Sequence, residues 1–179
     1  MFDSIKQRGH LMANTKGITE TISCKKGFYF GDPCYALKEE LYDEWLNWGD
    51  ENEKMNGRWD NNGKFVHNGK DIMVVDSTAY GDGCYQGTRL MPYGVDAGCL
   101  AVIPLEFCDE TKDSFNDGGW VNRDYCGTVK LITGEDGSFT LIDNKTRLQL
   151  EYVETGYEEE EEEEEDEETS SFWDEDNDD

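Results

Sequence analysis

Apolar and polar residues alternate over Ile18–Cys24 (ITETISC), the period of two that puts one face of a strand on a core and the other in water. Lys25-Lys26-Gly27 reads as a turn, and Phe28-Tyr29-Phe30 as a buried strand ended at Gly31-Asp32-Pro33. There the period changes. Asp32 suits a helix N-cap, and Pro33 suits the first helical position, where no N–H is needed. Leu37, Leu41, Trp45 and Trp48 then recur at helical spacing, with Lys38, Glu39, Glu40, Asp43 and Glu44 on the wet side. The pattern predicts one amphipathic helix over about 36–48, ended by Gly49.

Residues 50–63 are polar and rich in Asn and Gly, the composition of a long loop. Phe65–His67 is a weak pairing segment, and Asp71–Ser77 (DIMVVDS) a central strand. Tyr80-Gly81-Asp82-Gly83 is a tight turn, from which Cys84–Leu90 returns as a strand. Val95–Ile103 is a buried strand broken at Gly98 and stopped by Pro104, and residues 109–119 form a second polar loop. Gly127–Thr133, Ser138–Ile142 and Thr146–Val153 each alternate and form a meander with one wet face. About eight strands and one helix predict an α+β domain, mostly antiparallel β-sheet or a partly closed β-barrel.

Charge divides the chain. Of its 42 acidic residues, 16 lie in 158–179 with no base among them. The other 26 share residues 1–157 with all 16 bases. A run of like charge repels itself and buries nothing, so 158–179 is expected to be a disordered acidic tail behind a β-rich domain at 15–157. The acid excess argues against a nucleic-acid groove and against an anionic membrane surface, because both need clustered Lys and Arg. No apolar run reaches the ~20 residues that span a bilayer.

Residues 1–14 lack the apolar core of a secretory signal and are expected to be a leader or disordered. Arg8-Gly9 can be encoded by a purine block resembling a ribosome-binding site, which makes Met12 an alternative start. The six cysteines include no C-x-x-C pair and have only His10 and His67 to supplement them. Free buried thiols in a reducing, cytoplasmic setting are therefore expected.

Three blocks stand out: Gly31-Asp32-Pro33-Cys34-Tyr35, Tyr80-Gly81-Asp82-Gly83-Cys84-Tyr85 and Tyr93-Gly94-Val95-Asp96-Ala97-Gly98. Together, over residues 27–107, they resemble an uncharacterised family of small bacterial and phage proteins with GDP-x-Y, GDG-x-Y and GVDAG blocks. The resemblance implies a phage or mobile-element accessory protein and supplies no chemistry.

The residues themselves admit several readings. Gly-Asp blocks are what tight turns and bulges require. Alternatively Asp32, Asp76, Asp82 and Asp96 converge at one sheet end, where Asp32, Asp82 and Asp96 can hold a divalent cation or serve an acid–base enzyme. Walker A, G-x-S-x-G and H-E-x-x-H motifs are missing, which leans away from an enzyme, and no cofactor is expected apart from such a cation. Arg58–Trp59 and Trp120–Arg123 lie in expected loops. Such pairs can recognise an anionic, planar ligand such as a nucleotide signal by stacking and forked hydrogen bonds. Tyr85 joins these as a candidate contact, and Phe172 and Trp173, flanked by acids, as anchors for a basic, grooved partner. The favoured function is a non-catalytic, acidic anti-defence protein that inhibits a basic, nucleic-acid-handling host protein through complementary fields. Sequestering a nucleotide signal and metal-dependent catalysis are the alternatives. Direct nucleic-acid or membrane binding is not expected.

Overall fold

Burial on both faces of one sheet organises this chain. The structure, a computed structural model, describes residues 17–56, 62–89 and 92–156. Its strands are β1 (Thr19–Cys24), β2 (Phe28–Gly31), β3 (Gly63–His67), β4 (Lys70–Ser77), β5 (Gly83–Gln86), β6 (Pro92–Val95), β7 (Cys99–Pro104), β8 (Gly119–Asn122), β9 (Gly127–Thr133), β10 (Ser138–Asp143) and β11 (Gln149–Glu154). The helices are a single turn, α1 (Pro33–Ala36), and the long α2 (Glu39–Asn56). A five-stranded sheet runs β3-β4-β7-β2-β8 and a four-stranded sheet runs β1-β9-β10-β11; β5 and β6 form a separate hairpin. Every strand pair is antiparallel. The α+β expectation therefore holds as an open, layered arrangement, and the sheets do not close into a barrel.

Strand alternation sends each inner strand into two cores. On β7, Leu100 and Val102 join Ile22, Phe28, Phe30, Val129, Leu131, Phe139 and Val153 between the two sheets. Cys99, Ala101 and Ile103 point the other way, towards Leu37, Trp45 and Phe115 beneath the helices. The result is helix on sheet on sheet. On β4 the alternation slips. Phe65 pairs with Met73 and Val66 with Asp71, so Ile72 is the extra residue of a β-bulge. Ile72 and Met73 consequently both face the helical core.

Several boundaries differ from the sequence reading. Asp32 caps α1 rather than the long helix, because Leu37 turns out of helical geometry and pairs with Cys108. Gly49 does not stop α2, which runs on to Asn56; an interior glycine weakens a helix by roughly 0.5–1 kcal/mol without forbidding it. Residues 57–61, within the expected loop, lie outside the description, as do 1–16 and 157–179. The 109–119 segment holds a core residue: Phe115 is fully buried, its ring stacked 5.5 Å from that of Tyr29. The Val95–Ile103 strand divides into β6 and β7 at Gly98, whose φ of +67° makes the corner. The meander stands, with its last strand, β11, starting at Gln149 rather than Thr146. Leu150 is a bulge residue between the Leu141–Glu151 and Ile142–Gln149 pairs. Glu151 and Val153 thus face the core, while Leu148 is 66 % exposed.

Strand directions give the sandwich two distinct ends. At the first lie the turns 25–27, 122–126 and 143–148. Tyr125 ties them together: its carbonyl accepts the Gly27 N–H at 2.9 Å and its hydroxyl donates to Asp143 Oδ2 at 2.8 Å. At the second end lie 32–36, 78–83, 96–98, 111–118, 134–137 and 155–156. There the two sheets are joined by the Ala79 N–H on Thr155 Oγ1 at 2.9 Å and by the Thr133 hydroxyl on Asp76 Oδ2. The β5–β6 hairpin closes one flank, with β5 against β11 and β6 against β8.

All six cysteines are free, as expected, but only Cys24, Cys99 and Cys108 are buried; Cys84 and Cys126 are exposed. Burial is the main cause pushing the Cys24 and Cys108 thiols up to about 12. A disulfide-exchange reagent near neutral pH is therefore expected to label Cys84 and Cys126 fast, and Cys24, Cys99 and Cys108 only on unfolding. Uniform labelling of all six would contradict the two-core packing. Asp143 supplies a pH test. The Thr146 N–H is the first cause and the Tyr125 hydroxyl the second that lower its carboxyl from 3.8 to about 2. A depressed acid stabilises above its unfolded value and loses that contribution as pH falls through its folded one. The Lys145 and Thr146 amide signals are expected to shift between pH 3.8 and about 2, and invariance there would count against the turn.

Candidate functional site

The three Gly-Asp blocks meet at the second end of the sandwich. β2 and β4 flank β7 and run opposite to it. Their last residues, Gly31 and Ser77, therefore lie beside the first residues of β7. Asp32 follows β2, Thr78 follows β4, and Asp96–Gly98 precedes β7. This convergence of Asp32, Asp76, Asp82 and Asp96 was legible in the sequence, and the geometry assigns them different tasks.

Asp32 is fully buried. Its Oδ1 accepts the Cys34 N–H at 2.8 Å, capping α1. Its Oδ2 accepts the Asp96 and Ala97 N–H groups at 2.7 and 2.6 Å. One carboxylate thus satisfies three backbone donors from two segments. Asp96 is exposed and accepts the Tyr35 hydroxyl at 2.5 Å. That hydrogen bond is the first cause, ahead of burial, raising Tyr35 above the ordinary phenol range. The Tyr35 ring lies where any side chain at Gly118 would be, and in van der Waals range of one at Gly94, so small residues at both positions let it lie flat. Thr78 completes the junction: its N–H donates to the Gly98 carbonyl at 3.0 Å and its hydroxyl to the Gly81 carbonyl at 2.6 Å. Tyr85 is half-buried and donates to the same Gly81 carbonyl at 2.9 Å, with its ring against the inter-sheet core.

Asp82 is exposed near Gly98. Asp76 is buried and engaged by the Ser77 N–H at 2.9 Å as well as by Thr133. Of the cation set read from sequence, Asp32 has both oxygens turned to backbone donors. Among the described residues, no three His, Cys, Asp or Glu side chains gather as a ligand set.

The aromatic–arginine candidates are redistributed. Arg58 and Trp59 lie outside the described residues, as do Phe172 and Trp173. Trp120 is not in a loop. It occupies β8, is 8 % exposed, and packs edge-on against Phe28 at 5.0 Å. Arg89, rather than Arg123, lies over its ring, at 3.9 Å from the centroid. Arg123 is exposed and pairs with Glu110 at 2.7 Å. The Trp120–Arg123 ligand clamp is therefore not assembled here.

Sequence reasoning overlooked Glu151. This carboxylate is fully buried, accepting the Tyr93 and Thr88 hydroxyls at 2.5 Å each and the Tyr152 N–H at 2.8 Å. Burial first, then the bond to Glu151, raises the Tyr93 hydroxyl far above its ordinary value. With the Thr88 N–H on the Tyr152 carbonyl and the Gly87–Val153 bridge, this network fastens residues 87–89 along β11. The available signal was Glu151 standing two residues from Val153, in the same strand phase.

The surface around the Gly-Asp junction is strongly acidic. Asp82, Asp96, Asp113, Asp117, Glu135 and Asp136 are all exposed in the turns of this end, where Lys112 is the one base. Lys112 is itself turned inwards, its Nζ 3.1 Å from the Cys34 carbonyl. The chain leaves the β-structure here too. The Thr155 N–H bonds to the Gly137 carbonyl at 2.9 Å, and the acidic run begins two residues after Gly156.

Comparison of the chain with protein-family models, with curated proteins and with solved structures found no match.

Asp32→Ala is expected to lower stability by about 3–5 kcal/mol in chemical denaturation, since it strands buried N–H groups at about 1–3 kcal/mol each. Asp82→Asn, at an exposed position, is expected to stay within about 0.5 kcal/mol. Equal effects would remove the distinction drawn between them. A melting point that rises with Mg2+ or Ca2+ in the wild type but not in Asp96→Asn would instead support a cation site.

Proposed function

We propose that this chain is a non-catalytic binding protein whose acidic end engages a partner with a basic surface, of the kind that handles nucleic acid. The observation that carries the reading is the segregation of charge. Six exposed carboxylates crown one end of a rigid sandwich, the single base there is tethered inwards, and the 16-acid run departs from the same end. Fields of this form accelerate association with basic grooves and select against acidic partners. The turns that hold these carboxylates are fixed by buried hydrogen bonds, which favours presenting charge over moving it during a reaction. Free thiols agree with action in a reducing compartment, the cytoplasm. No helix among the described residues is long and apolar enough to cross a membrane. The resemblance in the Gly-Asp blocks favours a phage or mobile-element role, with inhibition of a host defence protein as the biological outcome.

The nucleotide-sequestering alternative has less to stand on. Trp120 is already covered by Arg89, and the exposed surface beside the Gly-Asp junction is anionic.

Affinity capture of the tagged full chain from a bacterial host lysate tests the proposal. Salt-sensitive recovery of a basic nucleic-acid-handling protein is expected. Recovery should fall at least tenfold in an Asp82→Lys, Glu135→Lys, Asp136→Lys triple variant, at about 0.5–1 kcal/mol for each reversed surface charge. A captured partner indifferent to that reversal, or the absence of any basic protein, would overturn it.

A further inference from the structure

The opposite end of the sandwich has a complementary character. Lys25, Lys26, Arg123, Lys145 and Arg147 are all exposed in the turns tied together by Tyr125. Asp143 is committed to the Lys145 and Thr146 N–H groups, while Asp124 in these turns and Glu106, in the turn after β7 at the same end, are exposed. Arg123 is paired with Glu110; none of Lys25, Lys26, Lys145 and Arg147 has an ion-pair partner among the described residues.

The same turn carries two further features. Arg147 has φ +64°, a left-handed conformation that a long side chain adopts at a cost. The turn holds it by its N–H on the Asp143 carbonyl at 2.9 Å. Beside it, Leu148 is the most exposed large apolar residue among those described, at 66 %. A strained arginine and a bare leucine, framed by unpaired lysines, make a surface suited to an acidic segment that also carries an apolar anchor.

The chain contains such a segment. We propose that residues 158–179 dock on this basic end of their own fold, with Phe172 and Trp173 set against Leu148 and the flanking carboxylates against Lys25, Lys26, Lys145 and Arg147. Both complementarities are present: 16 acids and no base in the segment, and two adjacent large aromatics within it. The length also suffices. Residues 157–172 can extend over roughly 50 Å. The seven residues of β9, which run the length of the sheet, cover only about 23 Å. A second copy would offer the same surface, but the covalent connection raises the local concentration of the segment at its own fold to the millimolar range. Docking would also withhold the acidic segment from other basic surfaces until salt or a stronger partner displaced it.

Zero-length carbodiimide coupling of the full chain at low salt, mapped by peptide mass spectrometry, tests this independently of any outside partner. The expected products are monomeric, with links from Lys25, Lys26 or Lys145 to carboxylates in 158–179, enriched over links from Lys64 and Lys112. Raising ionic strength to about 1 M cuts the screening length from ~10 to ~3 Å and should abolish them. Phe172→Ala with Trp173→Ala, and separately Leu148→Ser at an exposed site that folding does not depend on, should each lower link yield at least ~3-fold. Links confined to dimers would assign the surface to a second copy and overturn the proposal. So would links spread evenly over all lysines, links insensitive to the aromatic and Leu148 variants, or no links to the segment.

Discussion

The carboxylate of Asp32, sealed from water, is the point through which the parts of the fold are coordinated. Alone it would be a costly group to bury, and it is tolerated because three backbone N–H groups converge on it. Those donors come from the turn that follows β2 and from the corner that precedes β7. The bond set therefore fixes how two neighbouring strands of the doubly buried sheet begin and end. From that constraint follow the direction of α1, the placement of Tyr35 between Gly94 and Gly118, and the presentation of Asp96 at the surface. The acidic end owes its fixed geometry to a charge that is itself hidden.

Much of this was legible in the residues and some was not. Asp32-Pro33 announced a helix cap correctly, since the acceptor and the missing N–H are local properties. The second partner of Asp32 is 64 residues away and leaves no periodic trace. The alternating strands β1, β9 and β10 were readable for the same local reason. Strand β8 was not: four residues, GWVN, between polar stretches offer too few repeats to show a period, so by sequence Trp120 reads as a loop residue. Bulges hid two further strand faces. One extra residue, Ile72 in β4 or Leu150 in β11, reverses the phase of everything beyond it. The burial of Glu151, out of phase with the apolar positions Leu148 and Leu150, follows from such a reversal, while Leu148 is exposed in the turn that precedes β11. The candidate site was partly visible as three Gly-Asp blocks. Their division into one buried clamp and several surface charges required the fold.

Charge in this protein is organised by topology more than by composition. An excess of 26 negative charges suggests uniform acidity. Antiparallel strands instead gather the turn residues at two ends: the turns at one end carry six exposed acids and one inward-turned base, those at the other four exposed bases without an ion-pair partner among the described residues. Lys112 and Arg89 sharpen the contrast, because one is drawn to a carbonyl and the other to an indole face.

The pairing of β1 has a further consequence, for the time course of folding. Its partner in the sheet is β9, with Cys24 opposite Gly127. More than a hundred residues must leave the ribosome before the first strand meets its neighbour. Until then its backbone edge has no strand to pair with, although Ile22 and Cys24 can already rest on Phe28, Val74 and Val102 of the layer that includes β2, β4 and β7. High contact order of this kind slows folding and lengthens the interval in which an unpaired strand edge is open to capture. The first of the described strands is among the last to be paired, so closure of the four-stranded sheet waits on β9.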